Sequence, residues 1–170
     1  MSFTNLMLTV LMIGALYFIA GQRAALALRS GNVGKLHSLP HYHGIWAAIT
    51  SVLPALFVLL AIVIGKNLLF QFWARDYFPQ DVLNGDAVDR AIALAKVSNV
   101  VDGIDFGDVA PWVQSAGDAW IRWEANAIIV ANILVLSVSL VGGFLGYRRI
   151  HPTFRSRNNV ERILTWMLIG

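Results

Sequence analysis

The chain of 170 residues contains no cysteine and few charged residues, which make up 14% of it. The lack of cysteine excludes disulfide scaffolds, thiolate metal sites and cysteine nucleophiles. Ordinary soluble domains contain roughly 25% charged residues, whereas this chain is 57% hydrophobic. The composition therefore predicts an integral membrane protein.

Several motifs that bind phosphate or carry catalysis are also missing from the sequence. The dipeptide Gly34-Lys35 has neither the earlier glycine nor the following Ser or Thr of a P-loop. There is no GxGxxG, GxSxG or HExxH pattern. We therefore predict that the chain has no catalytic residues and no cofactor, and that it is not an enzyme.

Three long stretches, 1–20, 45–65 and 125–147, contain no charged side chain. A helix of about 20 residues is about 30 Å long, which is enough to cross the hydrocarbon core of a bilayer. The sequence therefore predicts an all-α integral membrane fold with three transmembrane helices. A further apolar run, 163–170, is too short to span and is expected to be the start of a truncated fourth transmembrane helix. We expect the chain to be the leading part of a longer protein.

The two signs of charge are segregated along the chain. Basic residues dominate 21–44, which contains no Asp or Glu, and 148–162, where Glu161 is the one acidic residue. The segment 66–124 contains nine of the ten acidic residues and five basic ones, which gives it a net charge of 5 − 9 = −4. Short loops rich in Lys and Arg stay in the cytoplasm. We therefore predict a cytoplasmic basic loop at 21–44, an extracytoplasmic insert at 66–124 and a cytoplasmic basic segment at 148–162.

Two amphipathic helices are predicted within the insert. Asp86 is a suitable N-cap for the first helix, and Pro111 suits the first position of the second. The predicted apolar face of the first helix comprises Val88, Ala91, Ile92 and Ala95. The predicted stripe of the second comprises Trp112, Ala116, Ala119, Trp120 and Trp123.

Small residues in the third span predict a helix-packing surface. Ser139 and Gly143 are four residues apart, as are Gly142 and Gly146, and this spacing lets helix backbones approach closely. Pro54 lies in the second span, where it is expected to kink the helix and contribute to packing. These five residues are the predicted packing site.

Two groups of polar residues contain the side-chain types that bind metals. They are His37, His41 and His43 in the first basic segment, and Asp102, Asp105 and Asp108 in the insert. The histidines lack a nearby carboxylate, and the aspartates lack the ligand order of an EF-hand. We interpret the histidines as loop residues at the headgroup interface and the aspartates as turn and capping residues, and we predict no metal site.

Four blocks of sequence resemble the N-terminal region of the PstC-type permease subunit of bacterial phosphate ABC importers. They are 21–27 (GQRAALA), 36–44 (LHSLPHYHG), 54–56 (PAL) and 154–162 (FRSRNNVER). The resemblance extends over 21–65 and 147–169, while the acidic insert resembles that of the family only in its general character. His41 departs from it, because a glycine is expected after the proline.

The resemblance implies an N-terminal membrane segment of an inorganic phosphate import permease in the bacterial inner membrane. It implies three kinds of partner: a second permease subunit, a cytoplasmic ATPase dimer that hydrolyses ATP, and a periplasmic phosphate-binding protein. The phosphate pathway of the family lies downstream of the matching region, so substrate-binding residues stay unknown and the expected role is assembly and packing. An alternative is the extracytoplasmic-sensing input module of a membrane signalling protein, and a third is a stand-alone assembly or regulatory membrane protein.

Overall fold

The computed structural model describes residues 3–30, 38–104, 107 and 109–169. Within these ranges the regular structure is helical and contains no strand, which confirms the all-α prediction. The helices are α1 (Phe3–Ser30), α2 (Pro40–Ala74), α3 (Gln80–Asn84), α4 (Ala87–Val101), α5 (Pro111–Arg148) and α6 (Ser156–Ile169). A short 3-10 turn, Arg75–Tyr77, follows α2.

Three of these helices, α1, α2 and α5, are long and apolar enough to cross a membrane. Each is longer than the stretch predicted to span, since α1 has 28 residues, α2 has 35 and α5 has 38. Strong helix formers explain part of the extension, because the run Ala24–Leu28 favours continuation of α1 beyond residue 20. Where the membrane boundaries lie along the three helices stays a prediction.

The interpretation of His41 and His43 as loop residues is wrong. Helix α2 begins at Pro40, a residue favoured at the first helical position because its fixed φ suits the helix and it needs no partner for an N–H. His41 and His43 therefore lie in the first turns of α2. His37 lies outside the described residues.

The described chain divides into two compact units, and α2 and α5 contribute residues to both. Unit 1 comprises Met1–Leu59 and Ala131–Gly170, and unit 2 comprises Leu60–Val130. In unit 1, α6 buries Ser156 and Val160, while most of the remaining helix is exposed. Entry of α6 into the membrane as a fourth span stays a prediction.

Unit 2 has a small core formed by α4, the start of α5 and the segment that follows α2. Its buried members are Phe78, Ala93, Val97, Val113 and Ala116, with Trp112 and Trp120 packed against them. The predicted stripe on α5 is thus confirmed through its buried alanines and packed tryptophans.

The predicted apolar face of α4 is not the side that packs within unit 2, because Val88 and Ile92 are 61% and 50% exposed. The side that packs contains Ala93 and Val97, which also follow helical spacing. Apolar residues occur on more than one side of α4, so periodicity alone does not select the buried side.

Both predicted helix starts in unit 2 are confirmed. The Asp86 carboxylate accepts hydrogen bonds from the backbone N–H groups of Val88 (2.8 Å) and Asp89 (2.9 Å), and the Asp89 carboxylate accepts one from the Asp86 N–H at 3.2 Å. This is a capping box, and Pro111 is the first residue of α5.

The end of α4 agrees with the interpretation of Asp102 as a capping residue. Asp102 is the C-cap residue, and Gly103 follows with a φ of 71°, a conformation that glycine adopts without steric cost. Asp105 and Asp108 lie outside the described residues.

An ion pair joins α2 and α5 within unit 2. Lys66 Nζ contacts Glu124 Oε1, and the two side chains are 14% and 37% exposed. Nearby, the Phe70 ring lies 6.1 Å from that of Trp120 and 6.0 Å from that of Trp123. Polar attraction and aromatic packing thus act between the same two helices.

Candidate functional site

The three long helices meet in unit 1 through small residues. We call this surface the small-residue seam, and it comprises Gly14 and Gly21 of α1, Gly44, Ala47 and Ser51 of α2, and Ser139, Gly142, Gly143 and Gly146 of α5. In a membrane, helix association depends on close packing and hydrogen bonding rather than on hydrophobic burial. Small side chains permit both, because they let backbones come together.

Helices α1 and α2 approach each other at two glycines. A Cβ atom added to Gly21 would lie 2.9 Å from the carbonyl oxygen of His43, and one added to Gly44 would lie 2.7 Å from the carbonyl oxygen of Phe18. Both distances are shorter than real Cβ contacts allow, and the opposing atoms belong to the backbone. At these two positions the present separation of the helices requires glycine.

Helices α2 and α5 approach each other around Thr50. A Cβ atom at Gly142 would collide with the Thr50 carbonyl oxygen, and one at Gly146 would collide with its hydroxyl oxygen. The Thr50 hydroxyl is already committed within α2, where it donates to the Trp46 or Ala47 carbonyl at 3.0 and 3.1 Å. The glycines of α5 therefore pack against a surface with little freedom to move.

A buried hydrogen bond joins the same two helices. Ser51 Oγ donates to the carbonyl oxygen of Ser139 at 2.9 Å, and the two hydroxyl oxygens are 3.0 Å apart. Both serines are completely buried. Because a polar group buried without a partner is costly in a membrane, this pairing favours one alignment of α2 against α5.

Helices α1 and α5 meet through Tyr17. Its hydroxyl donates to the carbonyl oxygen of Leu140 at 2.9 Å. The ring lies over Gly143, where an added Cβ atom would collide with ring carbons. The side chain of Leu140 is 50% exposed, so its backbone contributes to the seam while its side chain does not fill it.

Four of the five residues in the predicted packing site lie on this surface of α5. Ser139 faces Ser51, Gly142 and Gly146 face Thr50, and Gly143 faces Tyr17. Pro54 does not join them: it lies inside α2 and is exposed, while the adjacent Ala55 is buried.

Sequence reasoning missed the part of the seam on α1 and two of the partner residues on α2. The missed residues are Gly14, Tyr17, Gly21, Gly44 and Thr50. A signal for α1 was present, because its buried residues Leu6, Val10, Gly14, Gly21 and Ala25 recur at intervals of four or seven. That spacing describes one side of a helix.

At one end of unit 1, aromatic rings pack around Phe154. Its ring lies 5.4 Å from that of Trp46 and 6.1 Å from that of His43. His43 is completely buried, and neither of its ring nitrogens has a hydrogen-bond partner among the residues that the structure describes. The cluster packs the segment before α6 against the start of α2.

The seam presents hydroxyl groups and backbone carbonyl groups, and the aromatic cluster around Phe154 contains one buried imidazole, that of His43. Across the described ranges, no three side chains of the His, Asp or Glu type lie together as candidate metal ligands. The geometry of the seam accounts for helix packing: close backbone contact at glycines, one buried serine pair and one tyrosine hydrogen bond.

Comparison with known proteins identifies a family. No curated protein and no solved structure matches the chain. A protein family described as phosphate ATP-binding cassette transporter matches residues 7–170. The match agrees with the resemblance found in the sequence and favours a transport protein over a sensor module. Because it covers almost the whole chain, the chain belongs to the phosphate ATP-binding cassette transporter family.

Proposed function

We propose that the chain is the N-terminal membrane segment of an ABC-type permease that imports inorganic phosphate, and that its role is assembly and packing around the translocation core. The observation that carries the proposal is the family match over residues 7–170. The small-residue seam supports the packing role, because it joins three helices of membrane-spanning length without presenting a catalytic group.

The proposed partners are a second permease subunit, a cytoplasmic ATPase dimer and a periplasmic phosphate-binding protein. An ABC transporter depends on ATP hydrolysis, and the P-loop that would bind ATP is not found in this sequence. We propose that ATP hydrolysis belongs to a partner subunit. The full-length gene product, purified from mild detergent, should carry a second permease and an ATPase with it. Purification without an ATPase under conditions that preserve other ABC complexes would contradict the proposal.

We propose a multi-pass topology in the bacterial inner membrane with the first residues outside. Residues 21–44 and 148–162 lie in the cytoplasm and 66–124 in the periplasm. Charge supports this arrangement, because the insert carries a net charge of −4 and the remaining chain carries +3 − (−4) = +7. Short cytoplasmic loops carry an excess of Lys and Arg, and this bias sets the orientation of the spans.

Single cysteines test this topology, because the chain has none of its own. Ala95→Cys in α4 and Arg149→Cys after α5 both replace exposed residues, so burial does not limit their labelling. An impermeant thiol reagent should label Ala95→Cys in intact spheroplasts. It should label Arg149→Cys only after the membrane is permeabilised. Labelling of Arg149→Cys but not of Ala95→Cys in intact spheroplasts would show that the orientation is the reverse of the proposed one. Equal labelling of both in sealed spheroplasts would show that the two segments do not lie on opposite sides of the membrane.

A further inference from the structure

A polar recess lies in unit 1 between the segment before α2 and the first turns of α6. Its volume is about 420 Å³, and it is lined by Ser38, Arg155, Arg157, Asn158 and Glu161. It lies apart from the small-residue seam and takes no part in the packing role proposed above. The lining combines guanidinium, amide and hydroxyl groups, which are the usual donors to phosphate oxygens.

Three contacts of Arg157 fix the shape of the recess. The backbone N–H of Arg157 donates to Ser38 Oγ at 3.3 Å, which joins the two segments that form its sides. Arg157 Nε donates to Glu161 Oε1 at 2.7 Å, and the guanidinium carbon lies 6.0 Å from the ring centroid of Tyr42. The Glu161 carboxylate is therefore neutralised within α6, and Arg157 is held by three neighbours.

Arg155 supplies the charge that remains. It is exposed, and no ion pair to it occurs among the described residues. The sequence of unit 1 contains eight basic residues and one acidic residue, since nine of the ten acidic residues lie in 66–124. The recess thus carries an excess positive charge in surroundings of the same sign, which favours an anionic ligand.

The surface beside the recess indicates what kind of molecule carries the anionic group. Glu161 lies four residues after Arg157, and Leu164 and Leu168 continue the same side of α6. These two leucines are 46% and 88% exposed. Arg157 and Glu161 of the recess are thus followed along one side of α6 by exposed apolar side chains, and this order matches the headgroup and acyl chain of a lipid.

We propose that the recess binds the phosphate of an anionic phospholipid headgroup, with Arg155 and Asn158 as its ligands and the Leu164–Leu168 side of α6 beside the acyl chains. Free inorganic phosphate offers the same oxygens but would make no use of the apolar side. Charge near an anionic leaflet contributes about 1 kcal/mol per Lys or Arg, so loss of Arg155 should weaken binding about fivefold.

The test measures lipid binding to the whole chain, purified in a neutral detergent, by native mass spectrometry with added dioleoylphosphatidylglycerol or dioleoylphosphatidylcholine. The chain should retain the anionic lipid in preference to the zwitterionic one. Arg155→Gln should lower the affinity for the anionic lipid about fivefold, and Asn158→Ala should lower it measurably. Arg149→Gln is the matched control, because it removes the same charge from an exposed residue outside the recess.

Each other outcome overturns the proposal in a different way. Equal losses in Arg155→Gln and Arg149→Gln would show that binding follows net charge and not the recess. Displacement of the lipid by millimolar inorganic phosphate, with phosphate bound in its place, would assign the recess to a soluble anion. Equal retention of the two lipids would show that the chain has no preference for an anionic headgroup.

Discussion

The close backbone contact between α2 and α5 at Gly142 can be tested with a single methyl group. In Gly142→Ala the new Cβ atom collides with the carbonyl oxygen of Thr50, a backbone atom that cannot rotate away. Either α5 moves away from α2 or both helices bend. Gly65→Ala is the matched control, because Gly65 also lies inside a long helix and nothing stands within 4 Å of the added atom.

The expected effect is the difference between two terms. Replacing glycine by alanine inside a helix favours folding by up to about 1 kcal/mol, and both variants gain this. Overpacking a closely packed contact costs about 1–3 kcal/mol, and only Gly142→Ala incurs this cost. The free energy of unfolding of Gly142→Ala should therefore be lower than that of Gly65→Ala by about 1–3 kcal/mol.

Reversible unfolding in mixed micelles, followed by helical circular dichroism, measures this difference. The two variants and the unchanged chain are compared under one set of detergent conditions. If Gly142→Ala and Gly65→Ala have the same free energy of unfolding, the backbones of α2 and α5 are not in contact at Gly142. The small-residue seam would then not hold α2 and α5 together at this position.

Three other contacts can be tested by substitution in the same protein. Ser51→Ala should lower the free energy of unfolding by about 1 kcal/mol, because it removes the hydrogen bond to α5; no change would show that the bond contributes nothing to stability. Glu124→Gln should lower the free energy of unfolding by about 1–3 kcal/mol, because it weakens the contact with Lys66. If the pair acts through its charges, the double variant Lys66→Glu with Glu124→Lys should recover most of this loss. Asp86→Ala should reduce hydrogen-exchange protection in α4 by about 1 kcal/mol while Asp86→Asn should not, since asparagine also caps a helix; equal effects would exclude the cap as the cause.

Local signals in the sequence were sufficient to predict the starts of α4 and α5. The start of α4 follows from Asp86, because its short carboxylate satisfies backbone N–H groups wherever a helix begins there. The start of α5 at Pro111 and the stripe around Ala116 follow from proline geometry and helical spacing. Small-residue spacing likewise predicted a packing role for Gly142, Gly143 and Gly146, and these glycines lie close to Thr50 and Tyr17.

Contacts between distant segments could not be read in the same way. Spacing shows that Gly142 is small, but it does not show that a rigid carbonyl opposes Gly142 while the ring of Tyr17 opposes Gly143. Which side of α4 is buried depends on where α5 lies, so a pattern with apolar residues on several sides was ambiguous. The burial of His43 was missed for a related reason, because a polar residue near a basic loop is ordinarily exposed and here α2 begins at Pro40.

The most direct test of the proposed function is the uptake of radiolabelled inorganic phosphate by phosphate-starved cells whose gene for this chain is deleted and then restored. The unchanged full-length gene product should restore phosphate uptake and should co-purify with an ATPase. Gly142→Leu should lower both, whereas Gly65→Ala should lower neither, because only the first disturbs the seam. Full uptake in the deletion strain, or full restoration by Gly142→Leu, would contradict the claim that this packing segment serves phosphate import.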